Sequence, residues 1–254
     1  MKRTFRYGDL ASQSCVLHLP VSGGLRPVVC LLHGGWWRTP YGPDQMEPLA
    51  ADLAQRGYAA WNIGYRRIGE SGGGRPGTML DVASAVDHLS TVVGQETRLD
   101  LDRVAVVGHS AGGQLALCVG ARSGAASGLA PSKVVPVAVC GLAAVTDLEQ
   151  AFALGAGNGA TGAFLDGPPD RHSGRCAQAS PRRLLPLGVR QLLLHGSRDD
   201  AVPAHMSRAY ARAAREAGDL VDFFELPGTD HMQYLDPTSQ AHARLCDWLH
   251  AMLE

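Results

Sequence analysis

Short apolar runs alternate with helical segments along most of this chain, and this alternation restricts the possible folds more than any other feature. The β-like runs that we predict as strands are 27–33, 58–65, 103–110, 134–142, 189–196 and 221–226. The segments with helical spacing are 44–56, 79–89, 111–121, 203–217 and 238–253. Continuous apolar runs are typical of strands buried on both faces of a sheet. The alternation therefore predicts an α/β fold, with a mostly parallel sheet and helices on both of its faces.

Composition narrows the class of protein further. The 254 residues are 45% hydrophobic and 19% charged, which excludes a disordered chain and fits one domain spanning 1–254. Basic and acidic residues nearly cancel, 23 against 24, and no block of five like charges occurs. A nucleic-acid partner is therefore not expected. The N-terminus lacks an apolar stretch after its charges, so we expect no signal peptide, no membrane partner and a cytoplasmic location.

Six cysteines are present, at positions 15, 30, 118, 140, 176 and 246. None forms a C-x-x-C pair, and several lie in apolar runs where cysteine acts as a small buried hydrophobe. H-E-x-x-H is also absent from the sequence. We therefore predict no disulfide framework, no metal site and no cofactor.

The segment Gly108–Gly112 reads GHSAG and fits the pattern G-x-S-x-G. It lies between a predicted buried strand and a predicted buried helix, which is the setting of a sharp turn that presents a nucleophilic serine. The N-terminus of the following helix favours negative charge at the same point. A serine in a plain glycine-rich turn is the alternative, but the context favours Ser110 as a nucleophile.

The segment His33–Trp37 reads HGGWW and directly follows the predicted strand 27–33. Acyl transfer by serine needs backbone N–H groups aimed at the developing oxyanion, and paired glycines let a backbone approach the substrate closely. The N–H groups of Gly35, Trp36 and Ala111 are the candidates, although the glycines could serve only to turn the chain. We interpret His33 as structural rather than as a base. Trp36 and Trp37 could line a substrate pocket or simply pack.

A carboxylate and a histidine complete the constellation. Asp199 and Asp200 follow the strand 189–196, where open α/β sheets place their sites. We favour Asp199 as the acid, while Asp200 could instead cap the helix that starts near Pro203. His231 follows the next strand and gives the chain order Ser, Asp, His. Ser110, Asp199 and His231 are therefore the predicted catalytic residues.

These motifs resemble those of the α/β-hydrolase superfamily over nearly the whole chain. The HGG-x-W loop is similar to that of bacterial esterases and kynurenine formamidases, as are Gly64–Arg67 and Gly77–Val82. The resemblance implies the same triad of Ser110, Asp199 and His231. It departs from hormone-sensitive-lipase relatives, which carry a third glycine where this chain has Trp36.

One stretch interrupts the alternation of strands and helices. Residues 155–181 are dense in glycine, proline and polar residues, and long insertions of this kind are often functional lids. We expect a lid-like insertion at about 148–181, mobile over 155–181 and controlling substrate size. Phe152, Phe164 and Leu165 could form an apolar lid face or pack onto the body of the domain.

The sequence favours hydrolysis of small carboxylic esters through an acyl-enzyme, with a small-molecule ester or amide as the partner and an oligomer possible. An arylformamidase acting on N-formyl-kynurenine or a related aryl formamide is the first alternative. A non-catalytic ligand-binding protein of the same fold is the second. Two stretches fit G-x-G-x-x-G, at 72–77 and 157–162, but neither runs from a strand into a helix, so dinucleotide binding is not expected.

Overall fold

The computed structural model describes residues 1–21, 23–123 and 128–254. Within these ranges, eight strands form one sheet. The strands are β1 (Lys2–Arg6), β2 (Ser14–His18), β3 (Arg26–Leu32), β4 (Ala59–Ile63), β5 (Leu99–His109), β6 (Ala138–Leu142), β7 (Arg190–Gly196) and β8 (Val221–Leu226). The predicted α/β fold is confirmed.

The strand order is β1-β2-β4-β3-β5-β6-β7-β8. Strands β4 to β8 and β3 run parallel to one another, whereas β2 pairs antiparallel with both β1 and β4. Because parallel strands end at one edge of the sheet, the loops after β3, β5, β7 and β8 meet there. Those are the loops that carry the four sequence motifs.

Nine α-helices cover the sheet within the described ranges. They are α1 (Glu47–Gln55), α2 (Gly77–Asp87), α3 (Leu89–Val92), α4 (Ala111–Gly120), α5 (Leu148–Ala153), α6 (Ala160–Leu165), α7 (Ser173–Ala177), α8 (Ala204–Glu216) and α9 (Gln240–Leu253). Strand β3 shows how the two faces divide: Val28 and Cys30 join the core with α2, α4 and α8, whereas Val29 joins the core with α1 and α9. Helices therefore lie on both faces, as expected for a buried parallel sheet.

The beginning of β6 differs from the sequence expectation. The apolar run starts at 134, but the strand starts at Ala138. Pro136 has no N–H to donate to a ladder, and Val135 is 57% exposed. The first residues of the apolar run therefore lie at the surface, and strand pairing starts only after the proline.

The insertion at 148–181 contains three short helices, α5, α6 and α7. Phe164 and Leu165 are fully buried and belong to the core, so these two side chains pack onto the body of the domain. Phe152 is 39% exposed and lies on the outer side of the insertion. Leu148 and Ala151 of α5 also belong to the core. The insertion is therefore attached to the domain through α5 and α6, and it is exposed at the end of α5.

The six cysteines are all buried thiols, as their apolar surroundings predict for most of them. Among the helices of the described ranges, none combines the length and the apolar character needed to cross a bilayer.

Candidate active site

Ser110 lies at the sharp turn between β5 and α4. Its backbone has φ 56° and ψ −119°, a strained conformation for a residue with a side chain. A Cβ on Gly108 would fall 2.0 Å from the carbonyl oxygen of Gly112, and one on Gly112 would fall 2.2 Å from that of Leu32. Only glycines fit at both positions, so the G-x-S-x-G spacing makes the turn that presents the serine.

His231 lies in the loop after β8 and faces this serine. Its Nε2 is 3.0 Å from Ser110 Oγ, and its Nδ1 is 2.8 Å from Asp199 Oδ2. The structure therefore brings the three predicted catalytic side chains into one hydrogen-bonded chain. Ser110 is 2% exposed and His231 9% exposed, so access to the pair is narrow.

Asp199 is held by the turn that follows β7. Its Oδ1 accepts hydrogen bonds from the backbone N–H groups of Ala201 and Val202, at 3.0 and 2.8 Å. Burial by itself would raise the pKa of Asp199, but hydrogen bonds from His195 and His231 outweigh it and hold the pKa well below its ordinary value. The carboxylate is therefore ionised and fixed beside the imidazole.

Asp200 points away from this arrangement. It is exposed, and α8 begins after Pro203 without any side-chain cap, so the alternative in which Asp200 caps this helix is wrong. Pro203, with an extended backbone, is the N-cap residue of α8.

His195 is a partner of Asp199 that the sequence reasoning missed. Its Nε2 lies 2.8 Å from the carbonyl oxygen of Val202 and 3.2 Å from Asp199 Oδ2. Since a carbonyl only accepts, Nε2 carries the proton, and Nδ1 accepts from the hydroxyl of Ser207 at 2.7 Å. The only sequence signal was the i,i+4 spacing of the histidine and the aspartate at the end of one strand.

His109, the neighbour of the nucleophile, holds the loop of the base. Its Nε2 donates to the backbone carbonyl of His231 at 2.8 Å, and the two rings lie 4.8 Å apart. Burial lowers the pKa of His109 to about 3, with a further contribution from His231. His109 is thus a neutral hydrogen-bond donor at neutral pH.

The loop of residues 33–37, the HGGWW loop, lies directly against the nucleophile. A Cβ on Gly34 would fall 3.1 Å from Ser110 Cβ. Gly35 has φ 95° and Trp36 has φ 51°, which turns the backbone sharply beside the serine. Among the described residues, the N–H groups of Gly35 and Trp36 have no hydrogen-bond acceptor. The N–H of Ala111, the first residue of α4, has none within its helix.

His33 and Tyr65 support the HGGWW loop from below. The His33 Nδ1–H donates to the Gly34 carbonyl at 2.8 Å, and the Tyr65 hydroxyl donates to the His33 carbonyl at 2.7 Å. The two rings stack at 4.1 Å with an interplanar angle of 2°. Burial lowers the pKa of His33 to about 3, which agrees with a structural role.

Trp36 and Trp37 have different surroundings. Trp37 is fully buried, stacks on Phe164 at 4.5 Å and donates from Nε1 to Gln114 Oε1 at 2.9 Å. This position does not support the prediction that Trp37 contacts substrate, because its ring has no exposed surface. Trp36 is half-buried and packs on Gly157, where a Cβ would fall 2.4 Å from the indole.

The sequence profile of the BD-FAE family matches residues 17–213. The chain belongs to the BD-FAE family. The matched region includes Ser110 and Asp199, whereas His231 lies beyond it. No curated protein sequence matches the chain significantly.

Solved structures similar to this BD-FAE chain include esterases and a bifunctional protein. The bifunctional GH43-CE protein of Bacteroides eggerthii superposes with a TM-score of 0.85 at 22% identity; the match covers 98% of this chain and 38% of that protein. Esterase B of Lactobacillus rhamnosis gives 0.82 at 20% identity, covering 99% and 84%. Propionate-bound esterase Est2 of Thermogutta terrifontis gives 0.77 at 20% identity, covering 99% and 93%. These likenesses establish the α/β-hydrolase fold.

Replacing Trp37 with alanine should destabilise the BD-FAE chain by about 3–5 kcal/mol, because it empties a buried indole site. It also leaves Gln114 Oε1 without its donor. Trp36→Ala is the matched variant. It should cost less stability than Trp37→Ala, because Trp36 keeps exposed surface. It should change KM for esters more than Trp37→Ala does. Denaturant unfolding and steady-state kinetics measure both effects. Equal losses of stability would contradict the assignment of Trp37 to the core.

The free energy of unfolding should decrease as the pH is lowered, because His109 is neutral in the folded chain. The unfolded histidine takes up a proton below its ordinary pKa of 6.5, whereas folded His109 does so only near about 3. The contribution is therefore complete above 6.5 and is lost as pH falls towards 3. Each proton that the unfolded chain binds and the folded chain does not adds about 1.4 kcal/mol per pH unit to the slope of the unfolding free energy against pH.

His109→Gln keeps a side-chain donor but does not titrate, so its stability should depend less steeply on pH. Urea unfolding between about pH 4.5 and 7 would give the two slopes. Parallel slopes for the parent and the variant would show that His109 is not the titrating group.

Proposed function

We propose that this chain is a serine esterase that hydrolyses small carboxylic esters through an acyl-enzyme. The observation that carries the proposal is the hydrogen-bonded chain from Asp199 Oδ2 through His231 to Ser110 Oγ, at 2.8 and 3.0 Å. It lies at a strained turn whose glycines have no space for side chains. This is the geometry in which a base activates a serine.

In the acylation step, Ser110 Oγ attacks the ester carbonyl carbon while His231 Nε2 accepts the hydroxyl proton. Asp199 accepts the Nδ1–H of His231, so it selects the tautomer with a free Nε2 and stabilises the imidazolium that forms. His231 then gives the proton to the leaving alcohol. The acyl group remains on Ser110 as an ester.

The oxyanion of the tetrahedral intermediate needs donors that are already in place. The N–H groups of Gly35, Trp36 and Ala111 are the proposed donors, because they lack internal acceptors and flank Ser110 on two sides. The N-terminus of α4 adds its dipole at the same point. Each such donor is worth about 10²- to 10³-fold in kcat. In deacylation, water takes the place of the alcohol and His231 again moves the proton.

Small acyl groups fit this site best. Access to Ser110 and His231 is narrow, and the Trp36 indole fills the space between the HGGWW loop and Gly157. The solved propionate complex of the Thermogutta esterase Est2 agrees with a short acyl chain in a protein of this fold.

An aryl formamide such as N-formyl-kynurenine is the second candidate substrate. The HGGWW loop resembles that of kynurenine formamidases, and the same three side chains would attack a formyl carbon. A binding protein without catalysis would need no base aligned with the serine, so the geometry at His231 favours an enzyme.

The test is turnover of p-nitrophenyl acetate, butyrate and octanoate beside N-formyl-kynurenine, with Ser110→Ala as the matched control. We expect the acetate and butyrate esters to give the highest kcat/KM, and a fluorophosphonate probe to label Ser110. Faster turnover of the formamide than of every ester would assign the formamidase reaction. If the parent shows no more turnover and no more labelling than the Ser110→Ala control, an enzymatic function is contradicted.

A further inference from the structure

Three potential metal ligands meet between α1 and α9, away from the candidate active site. Asp52 lies on α1, and His242 and Cys246 lie one turn apart on α9. Asp52 Oδ2 is 2.6 Å from His242 Nε2, and Cys246 Sγ is 3.3 Å from the same nitrogen. The three ligand atoms all lie within 4.8 Å of one another.

We propose that Asp52, His242 and Cys246 form a binding site for a zinc-type divalent cation that ties α1 to α9. Imidazole, thiolate and carboxylate are the ligands that Zn²⁺ takes in proteins, at about 2.0–2.3 Å. Mg²⁺ and Ca²⁺ prefer oxygen ligands alone, so the donor set selects against them. Zn²⁺ would draw the three atoms around one centre by small side-chain movements.

Burial gives this site an enclosed side and an open side. His242 is 1% exposed and Cys246 6% exposed, whereas the Asp52 side chain is 22% exposed. Three protein ligands leave one tetrahedral position, which water can take. Without a metal, His242 Nε2–H donates to Asp52 Oδ2, and Nδ1 is buried without a hydrogen-bond partner among the described residues. Metal binding at Nε2 would therefore replace this hydrogen bond and place the ring proton on Nδ1.

Arg56 is the cation that the metal would replace. Its Nε donates to Asp52 Oδ2 at 2.6 Å, and its side chain is 45% exposed. Because it is on the surface, the guanidinium can move into water at little cost when the metal takes that oxygen. The exposed carboxylate of Asp247, on the same helix, adds negative charge near Cys246.

The site has a structural consequence because of its position in the chain. His242 lies in the first turn of α9, where Ser239 caps its N–H. This helix follows the loop that carries His231. A metal there would fix the beginning of α9 on α1 and stabilise the fold, independently of the proposed esterase reaction.

The experiment is a titration of the chelator-treated full chain with Co²⁺ and with Zn²⁺. We expect one Co²⁺ per chain, with a thiolate-to-cobalt charge-transfer band, and a rise in melting temperature with Zn²⁺. Cys246→Ser should lose the band, and His242→Ala and Asp52→Asn should weaken binding by at least about tenfold, since even outer partners of a metal site are worth that much. Cys246→Ala serves as a second variant if the serine variant does not fold.

His250→Gln is the matched control, because His250 is exposed on the same helix. This variant should keep both the band and the affinity of the parent. Absence of the band in the parent, or its persistence in folded Cys246→Ser or Cys246→Ala, would overturn the proposal.

Discussion

Replacing Ser110 with alanine should reduce kcat by about 10⁴- to 10⁶-fold, because the proposed nucleophile, whose Oγ lies 3.0 Å from His231 Nε2, is lost. The variant keeps the proposed oxyanion donors and substrate binding. These would account for any hydrolysis that remains faster than the uncatalysed reaction in water. Steady-state kinetics with p-nitrophenyl acetate measure the loss.

The fold of the Ser110→Ala variant should be unchanged. Alanine keeps the Cβ, so the strain at φ 56° is the same in the parent and in the variant. Circular dichroism and denaturant unfolding provide the control. A variant that keeps a tenth of the parent kcat would exclude Ser110 as the nucleophile.

Asp199→Asn and Asp200→Asn should differ by about four orders of magnitude in kcat. An amide at position 199 can present its NH₂ to His231 Nδ1 and stabilise the wrong tautomer, which costs about 10⁴-fold in a triad of this kind. The side chain of Asp200 is exposed and lies outside this hydrogen-bonded chain, so its amide variant should stay within about twofold of the parent.

These two variants share the same change of charge on adjacent residues, so the comparison removes any general electrostatic effect. The kcat values at one pH decide the assignment. A larger loss at Asp200 than at Asp199 would mean that the turn after β7 places a different carboxylate beside the base in solution.

The parts of the site that follow from sequence are those whose chemistry is local in the chain. The strand before GHSAG, the glycines around Ser110 and the order of serine, aspartate and histidine each depend on a few consecutive residues. The span of β8, Val221–Leu226, coincides with the predicted strand 221–226 for the same reason.

The parts that do not follow from sequence depend on contacts between distant segments. Strand β1 alternates exposed and half-buried residues and contains three basic side chains, so its sequence has no strand signal without its partner β2. The role of His195 needs the carbonyl of Val202 and the hydroxyl of Ser207 to be placed first. Burial of Trp37 depends on Phe164, which lies more than a hundred positions away.

Gln114 joins the HGGWW loop to the insertion at 148–181: it accepts from Trp37 Nε1 at 2.9 Å and donates from Nε2 to the carbonyl of Ala179 at 2.7 Å. Phe164, from the same insertion, stacks on the Trp37 ring. The insertion is therefore not an exchangeable module. A chimaera that takes this segment from another protein must also take the residues that correspond to Trp37 and Gln114, or it will break the loop that carries the proposed oxyanion donors.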